Sequence, residues 1–123
     1  MAKSPRHVTD AELAVLKTLW DAAPLAAREI VERLYPNGSP SDVATVQKLI
    51  SRLEAKGLVK RERATPAHLF RATITAEAFA GEQLEAMAEK LSDGSLTPFV
   101  MHLVNARGLT RRERQELRKL LGD

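Results

Sequence analysis

Residues 45–72, TVQKLISRLEAKGLVKRERATPAHLFRA, change character twice within one short stretch. Val46, Leu49, Ile50 and Leu53 recur at the period of one helical face, and Val43 extends that stripe upstream. The spacing predicts a helix from about Val43 to Lys56. Gly57 then stands where a helix ends in a left-handed residue. Beyond it, LVKRER (58–63) and HLFRATI (68–74) are short and partly alternating, joined by ATPA (64–67). That pattern predicts a β-hairpin, with Pro66 at its tip, where a missing N–H does not interrupt the ladder.

The charge of the chain concentrates in the same stretch. Residues 48–71 hold Lys48, Arg52, Lys56, Lys60, Arg61, Arg63 and Arg71 against only Glu54 and Glu62. The chain as a whole carries a formal charge of only +3. A local basic excess of this kind fits a polyanion, although a solvated charged face gives the same count. The face of the helix opposite its apolar stripe presents Ala44, Thr45, Lys48, Ser51, Arg52 and Ala55, with Gln47 at its edge. Its side chains are small or polar, and no acid lies near its centre.

Working outward, Asp10 to about Ala22 reads as a first helix. Thr9 and Glu12 are spaced for a capping box, and Leu13, Leu16, Leu19 and Trp20 lie on one side. Trp20 is expected to be a core anchor rather than a ligand-stacking residue. Pro24 ends this helix. A second helix, about Ala26 to Leu34, turns Ile30, Val31 and Leu34 inward, and YPNGSPSD (35–42) follows as turn chemistry. Ser41 or Asp42 is expected to cap the third helix. Three helices followed by a basic hairpin form the layout of a winged helix-turn-helix. In that layout the third helix enters a major groove and the hairpin lies along phosphates.

The last third reads as helical again. Thr75 can cap a helix from about Ala76 to Leu91, carrying Phe79, Leu84, Met87 and Leu91. SDGS (92–95) breaks it. A further helix from about Leu96 to Ala106 carries Phe99, Val100, Leu103 and Val104, and Gly108 ends it. Thr110 and Glu113 form a second capping box, opening a helix to about Leu121 with Leu117, Leu120 and Leu121 inward. Three short helices bury little alone, so a two-fold homodimer that interleaves them is expected; folding back on the chain's own first domain is the alternative. The expected fold is therefore mainly α with a small β-hairpin wing. It comprises a winged-helix domain at 1–75 and a helical dimerisation domain at 76–123, with MAKSPRH (1–7) as a loose arm.

Several function classes fit poorly. With no cysteine, disulfides, thiolate metal sites and cysteine nucleophiles are ruled out. His7, His68 and His102 are far apart in sequence and show no metal-ligand spacing, and there is no Gly-rich phosphate loop or nucleophile-elbow serine. We therefore expect neither an enzyme nor a cofactor or metal. No apolar run is long enough to span a bilayer, and the first residues lack a signal-peptide core, so the cytoplasm is the expected location. A winged helix that binds proteins instead of nucleic acid is the competing reading; the basic face of the third helix counts against it.

TDAELAVLKTLW, REIVERL, TVQKLISRLEAKGLVKRER, DGSL and LTRRERQELRKLL together cover most of residues 9–121. In order and spacing they resemble the penicillinase repressors, the BlaI/MecI group of bacterial winged-helix regulators. The resemblance implies a homodimeric transcriptional repressor on palindromic operators, responding to cell-wall antibiotics, with a membrane-bound sensor protease as a further partner. It assigns groove contacts to Ala44, Thr45, Gln47, Lys48 and Arg52, beside Ser51 on the same face, and backbone contacts in the wing to Arg61, Arg63 and His68. Dimer contacts fall to Leu84, Met87, Leu91, Phe99, Val100, Leu103, Leu117 and Leu120. Where antibiotic-responsive members are cut at an Asn-Phe bond, the aligned positions here are His102 and Leu103. The cysteine pairs of a copper-responsive branch have no counterpart.

Overall fold

A computed structural model describes residues 7–122, so all but the last residue of the expected N-terminal arm lies outside the described residues. The elements in chain order are α1 (Asp10–Ala22), β1 (Leu25–Ala26), α2 (Ala27–Leu34), α3 (Pro40–Ala55), β2 (Val59–Glu62), β3 (Leu69–Ala72), α4 (Ala76–Ser92), α5 (Thr97–Arg107) and α6 (Arg111–Leu121). The chain divides into two compact units, the first ending at Gln83 and the second beginning at Leu84. That division falls inside α4 rather than at its start. Phe79, in the first turn of α4, is buried in the first unit's core, and its ring lies 5.8 Å from that of Trp20.

The first unit is a three-helix cluster closed by a small antiparallel sheet of order β1-β3-β2. Val15, Leu16 and Leu19 of α1, Ile30 and Val31 of α2, and Val46, Leu49, Ile50 and Leu53 of α3 form one core with Leu58, Val59 and Phe70 of the hairpin. The stripes read for α2 and α3 are on the buried faces, with Leu34 and Val43 at their half-buried edges; in α1 the buried face runs through Val15, Leu16 and Leu19, and Leu13 and Trp20 of the expected stripe are half-buried. Trp20 is half-buried against this core, and its indole N–H donates to the Ile74 carbonyl at 2.8 Å. It is an anchor for the segment entering α4.

Both expected capping boxes are formed. The Thr9 hydroxyl accepts from the Glu12 N–H at 3.1 Å while Glu12 Oε1 accepts from the Thr9 N–H at 2.8 Å. Thr110 and Glu113 repeat the arrangement at the start of α6. The start of α3 differs from expectation. Its cap is Ser39, whose hydroxyl accepts from the Asp42 N–H, and Pro40 occupies the first turn. Neither Ser41 nor Asp42 is the cap; Asp42 instead returns the bond to the Ser39 N–H at 2.9 Å. A proline in the first helical turn gives up an N–H that would be unpaired anyway, so the turn-like PSD (40–42) is already helix.

Strand β1 escapes sequence reading because two residues cannot show an alternation. It forms because Leu25 and Ala26 reach the open edge of β3, opposite Phe70 and Leu69. In the hairpin, Val59 pairs with Ala72, Lys60 with Arg71, Arg61 with Phe70 and Glu62 with Leu69. Gly57 takes φ +76, and the Leu58 N–H donates back to the Leu53 carbonyl at 2.9 Å, so the turn from α3 into the wing depends on a left-handed residue.

In the second unit Ala88 is buried and Phe99, Val104 and Leu109 are half-buried, while most of the large apolar side chains stay uncovered. Leu91 is 67% exposed, Leu120 80% and Leu121 77%, and Leu84, Met87, Val100 and Leu103 are exposed as well. The inward placement expected for Leu117, Leu120 and Leu121 is therefore not found within the chain: three short helices offer too little surface to bury one another. Among the described residues, no helix is long and apolar enough to cross a membrane.

Candidate nucleic-acid interface

Ala44, Thr45, Gln47, Lys48, Ser51 and Arg52 are all exposed along the outer side of α3. They are exposed because Val46, Leu49, Ile50 and Leu53 turn the opposite side into the core. The Thr45 hydroxyl donates to the Ser41 carbonyl at 3.0 Å, which leaves its methyl group and oxygen lone pairs facing outward. Lys48 and Arg52 stand one helical turn apart. Neither has an acid partner among the described residues.

The hairpin alternates, so its two faces carry different charges. Arg61 and Phe70 are cross-strand partners on the face towards α3, and the guanidinium lies 5.3 Å from the ring centroid. The same guanidinium donates to Glu54 Oε1 of α3 at 3.0 Å and lies 3.3 Å from His68 Nδ1. An arginine can only donate, so a hydrogen bond across this contact has Nδ1 as its acceptor. Arg61 thus fastens the wing to the end of α3. Arg63 and His68 are exposed beside it. Gln47 and Ser51 from α3 and Arg61, Ala67 and His68 from the wing line one cleft of about 390 Å³, floored by Ile50 and Phe70.

The basic count of the sequence resolves into separate roles. Lys56 does not face outward: its ammonium bonds both oxygens of Glu12, at 2.7 and 2.8 Å. Lys60 and Arg71 lie on the hairpin face away from Arg61, and Arg71 is paired with Glu62. Arg61 alone of the lysines and arginines lines the cleft, with Glu54 of α3 as its ion-pair partner, while Lys48, Arg52 and Arg63 are exposed outside it. Charge counted along the chain could not separate these sets, because strand alternation and a contact 44 residues away in sequence decide them.

Glu12 shows how firmly this surface is held from behind. Burial opposes its ionisation, but the Lys56 ammonium and the Thr9 bonds outweigh that and hold its carboxyl below the usual carboxylate range. The pair joins the first turn of α1 to the end of α3.

In the second unit, His102 and Leu103 are exposed and lie within α5, so cutting the bond between them requires local opening of that helix. Among the residues assigned to a dimer, Phe99 is half-buried and Leu84, Met87, Leu91, Val100, Leu103, Leu117 and Leu120 are exposed.

Comparison with known proteins agrees with this fold. The chain is similar to MarR from E. coli in its oxidised form, with a TM-score of 0.50 and 21% identity, covering 94% of this chain and 74% of that one; the likeness is one of fold. It is 26% identical to a penicillinase repressor of Staphylococcus aureus over 123 residues, covering 100% of this chain and 97% of that protein. It is 23% identical to a penicillinase repressor of Bacillus licheniformis over 121 residues, covering 98% and 93% respectively. The family model described as penicillinase repressor matches residues 8–123, and the chain therefore belongs to the penicillinase repressor family of winged-helix, DNA-binding transcriptional regulators.

Proposed function

We propose that the chain is a homodimeric repressor that binds palindromic operators. The third helix lies in the major groove and the wing lies along the backbone. The observation that supports this best is the shared cleft, in which Gln47 and Ser51 of α3 lie beside Arg61 and His68 of the wing. Gln47 and Lys48 are the side chains suited to base edges: an amide can bond adenine bidentately, and an ammonium donates to guanine acceptors. Ala44 and the Thr45 methyl group allow close approach and apolar contact with thymine. Arg52, Arg61 and Arg63 fall to phosphates, where charge neutralisation releases counterions, and His68 beside them falls to the backbone as a hydrogen-bonding group. Two copies joined through α4–α6 present two such surfaces to half-sites about one helical turn apart or a multiple of it. Repression follows from occupying the promoter, and no bond need be made or broken.

The test is fluorescence anisotropy on a duplex taken from genome-wide mapping of bound sites, at several salt concentrations. Lys48→Ala should cost about 1–3 kcal/mol on the operator and little on unrelated DNA. Arg52→Ala should weaken binding to both and lower the salt slope by about 1. Unchanged affinity in both variants refutes the assigned surface. A chain that ignores DNA even at low salt is instead a protein-binding winged helix.

A further inference from the structure

The sequence of α3 contains two acids. Asp42 closes the cap of the first turn, and Glu54 stands near the other end, its side chain 27% exposed. Gln47, Ser51 and Glu54 are spaced i, i+4 and i+7, so they lie in one line along the helix, about a quarter to a third of a turn round from Lys48 and Arg52. This line is the edge of α3 that meets the wing. Gln47 and Ser51 line the cleft with Arg61, Ala67 and His68, and Glu54 Oε1 accepts from the Arg61 guanidinium at 3.0 Å. A carboxylate beside a surface that meets phosphates opposes binding, because like charges repel. Its contacts fit a role in position rather than in attraction.

The base and the tip of the wing are secured differently. Leu58, Val59 and Phe70 bury the base in the core. The ladder ends at the pair Glu62–Leu69, so residues 63–68, with Arg63 and His68 among them, lie beyond it. Arg61 links the two parts. Besides bonding Glu54, its guanidinium lies 5.3 Å from the Phe70 ring centroid and 3.3 Å from His68 Nδ1. The contacts Glu54–Arg61–His68 thus tie the far end of the hairpin to the line of α3 that carries Gln47 and Ser51. Phosphate contacts set register, and base contacts read sequence. Phosphates held by the wing bring Gln47 to one given base only if wing and α3 keep a fixed separation.

We infer that Glu54 is a positioning residue for operator recognition, acting through Arg61 to hold the hairpin tip at a fixed distance from Gln47 and Ser51. This rests on the operator-binding reading above and adds a residue with no assigned DNA contact. The negative charge of Glu54 lowers affinity for any duplex, while the bridge that it makes favours the operator alone. An ion pair this exposed adds little to stability, so its loss should show in recognition before it shows in folding.

Fluorescence anisotropy with the full chain, on the operator duplex and on an unrelated duplex of equal length, tests this through Glu54→Gln, Arg61→Gln and the double variant. Circular dichroism checks that each is folded like the parent. Glu54→Gln should lower the operator-to-unrelated affinity ratio about tenfold, the worth of one well-placed base contact, without weakening binding to the unrelated duplex. In the Arg61→Gln background the same substitution should leave the ratio unchanged, because the bridge is already gone. Equal changes on both duplexes, or none, overturn the inference: an equal rise is charge repulsion alone, and an equal fall is a general loss of wing structure. A fall in the ratio that is as large in the Arg61→Gln background overturns it as well, since Glu54 then acts without Arg61. A parent chain that does not prefer its operator removes the operator-binding reading and this inference with it.

Discussion

Replacing Lys56 by methionine should destabilise the first unit far more than an exposed lysine on a basic surface would. The Glu12 side chain is 1% exposed and the Lys56 side chain 29%. The ammonium supplies one bond to each carboxylate oxygen, at 2.7 and 2.8 Å. Without it, the carboxylate keeps the Thr9 N–H, at 2.8 Å, and loses its counter-charge. Breaking a buried ion pair from one side costs about 3–5 kcal/mol, and the partial exposure of Lys56 places this case near about 3. For a unit of this size that corresponds to a fall in Tm of about 12 °C or more. Lys56→Met combined with Glu12→Gln removes both charges and should recover part of the loss, since a neutral amide tolerates burial better.

Thermal melts of the four proteins of this cycle, followed by circular dichroism, give the coupling. The pH dependence is a second reading with a fixed sign. In the parent chain the folded Glu12 carboxyl titrates below its ordinary value of 4.5, so its contribution is full above that pH and is lost as pH falls through the folded value. In Lys56→Met, burial is opposed by the Thr9 bonds alone, so the carboxyl titrates higher than in the parent. The gap between variant and parent should therefore be widest at neutral pH and narrow on acidification. A Lys56→Met chain melting within about 2 °C of the parent, or a gap independent of pH, would refute this account of the pair.

Three further expectations follow from single contacts. Trp20→Phe keeps most of the ring packing on Phe79 but strands the Ile74 carbonyl, and should cost about 1–2 kcal/mol in urea unfolding. Ser39→Ala removes the α3 cap and should cost about 1 kcal/mol, whereas Ser41→Ala should be nearly neutral, a contrast readable by the same denaturation. Gly57→Ala forces a side chain to adopt φ +76 and should cost about 1–2 kcal/mol, with the hairpin amides losing hydrogen-exchange protection before those of α1.

Much of this protein was legible from local pattern. The apolar stripes of α1, α2 and α3 recur at the helical period, and the two Thr-x-x-Glu boxes announce their helices by chemistry confined to four neighbouring residues. The hairpin followed from alternation and from Gly57, because strand faces and left-handed turns are also local demands. The exposed side of α3 needed only the knowledge that the other side is apolar.

What depended on distant contacts was not legible. Lys56 counts as surface charge in the sequence and is a core ion pair in the fold, since Glu12 lies 44 residues away. Arg61 counts as a free cation and is bound to Glu54, His68 and Phe70. Strand β1 exists only because β3 presents an open edge to it. Periodicity reports which side of an element is apolar; it does not report what covers that side or which acid neutralises which base. Those choices are settled when segments far apart in the chain come within a few ångströms, where desolvation and charge pairing act together.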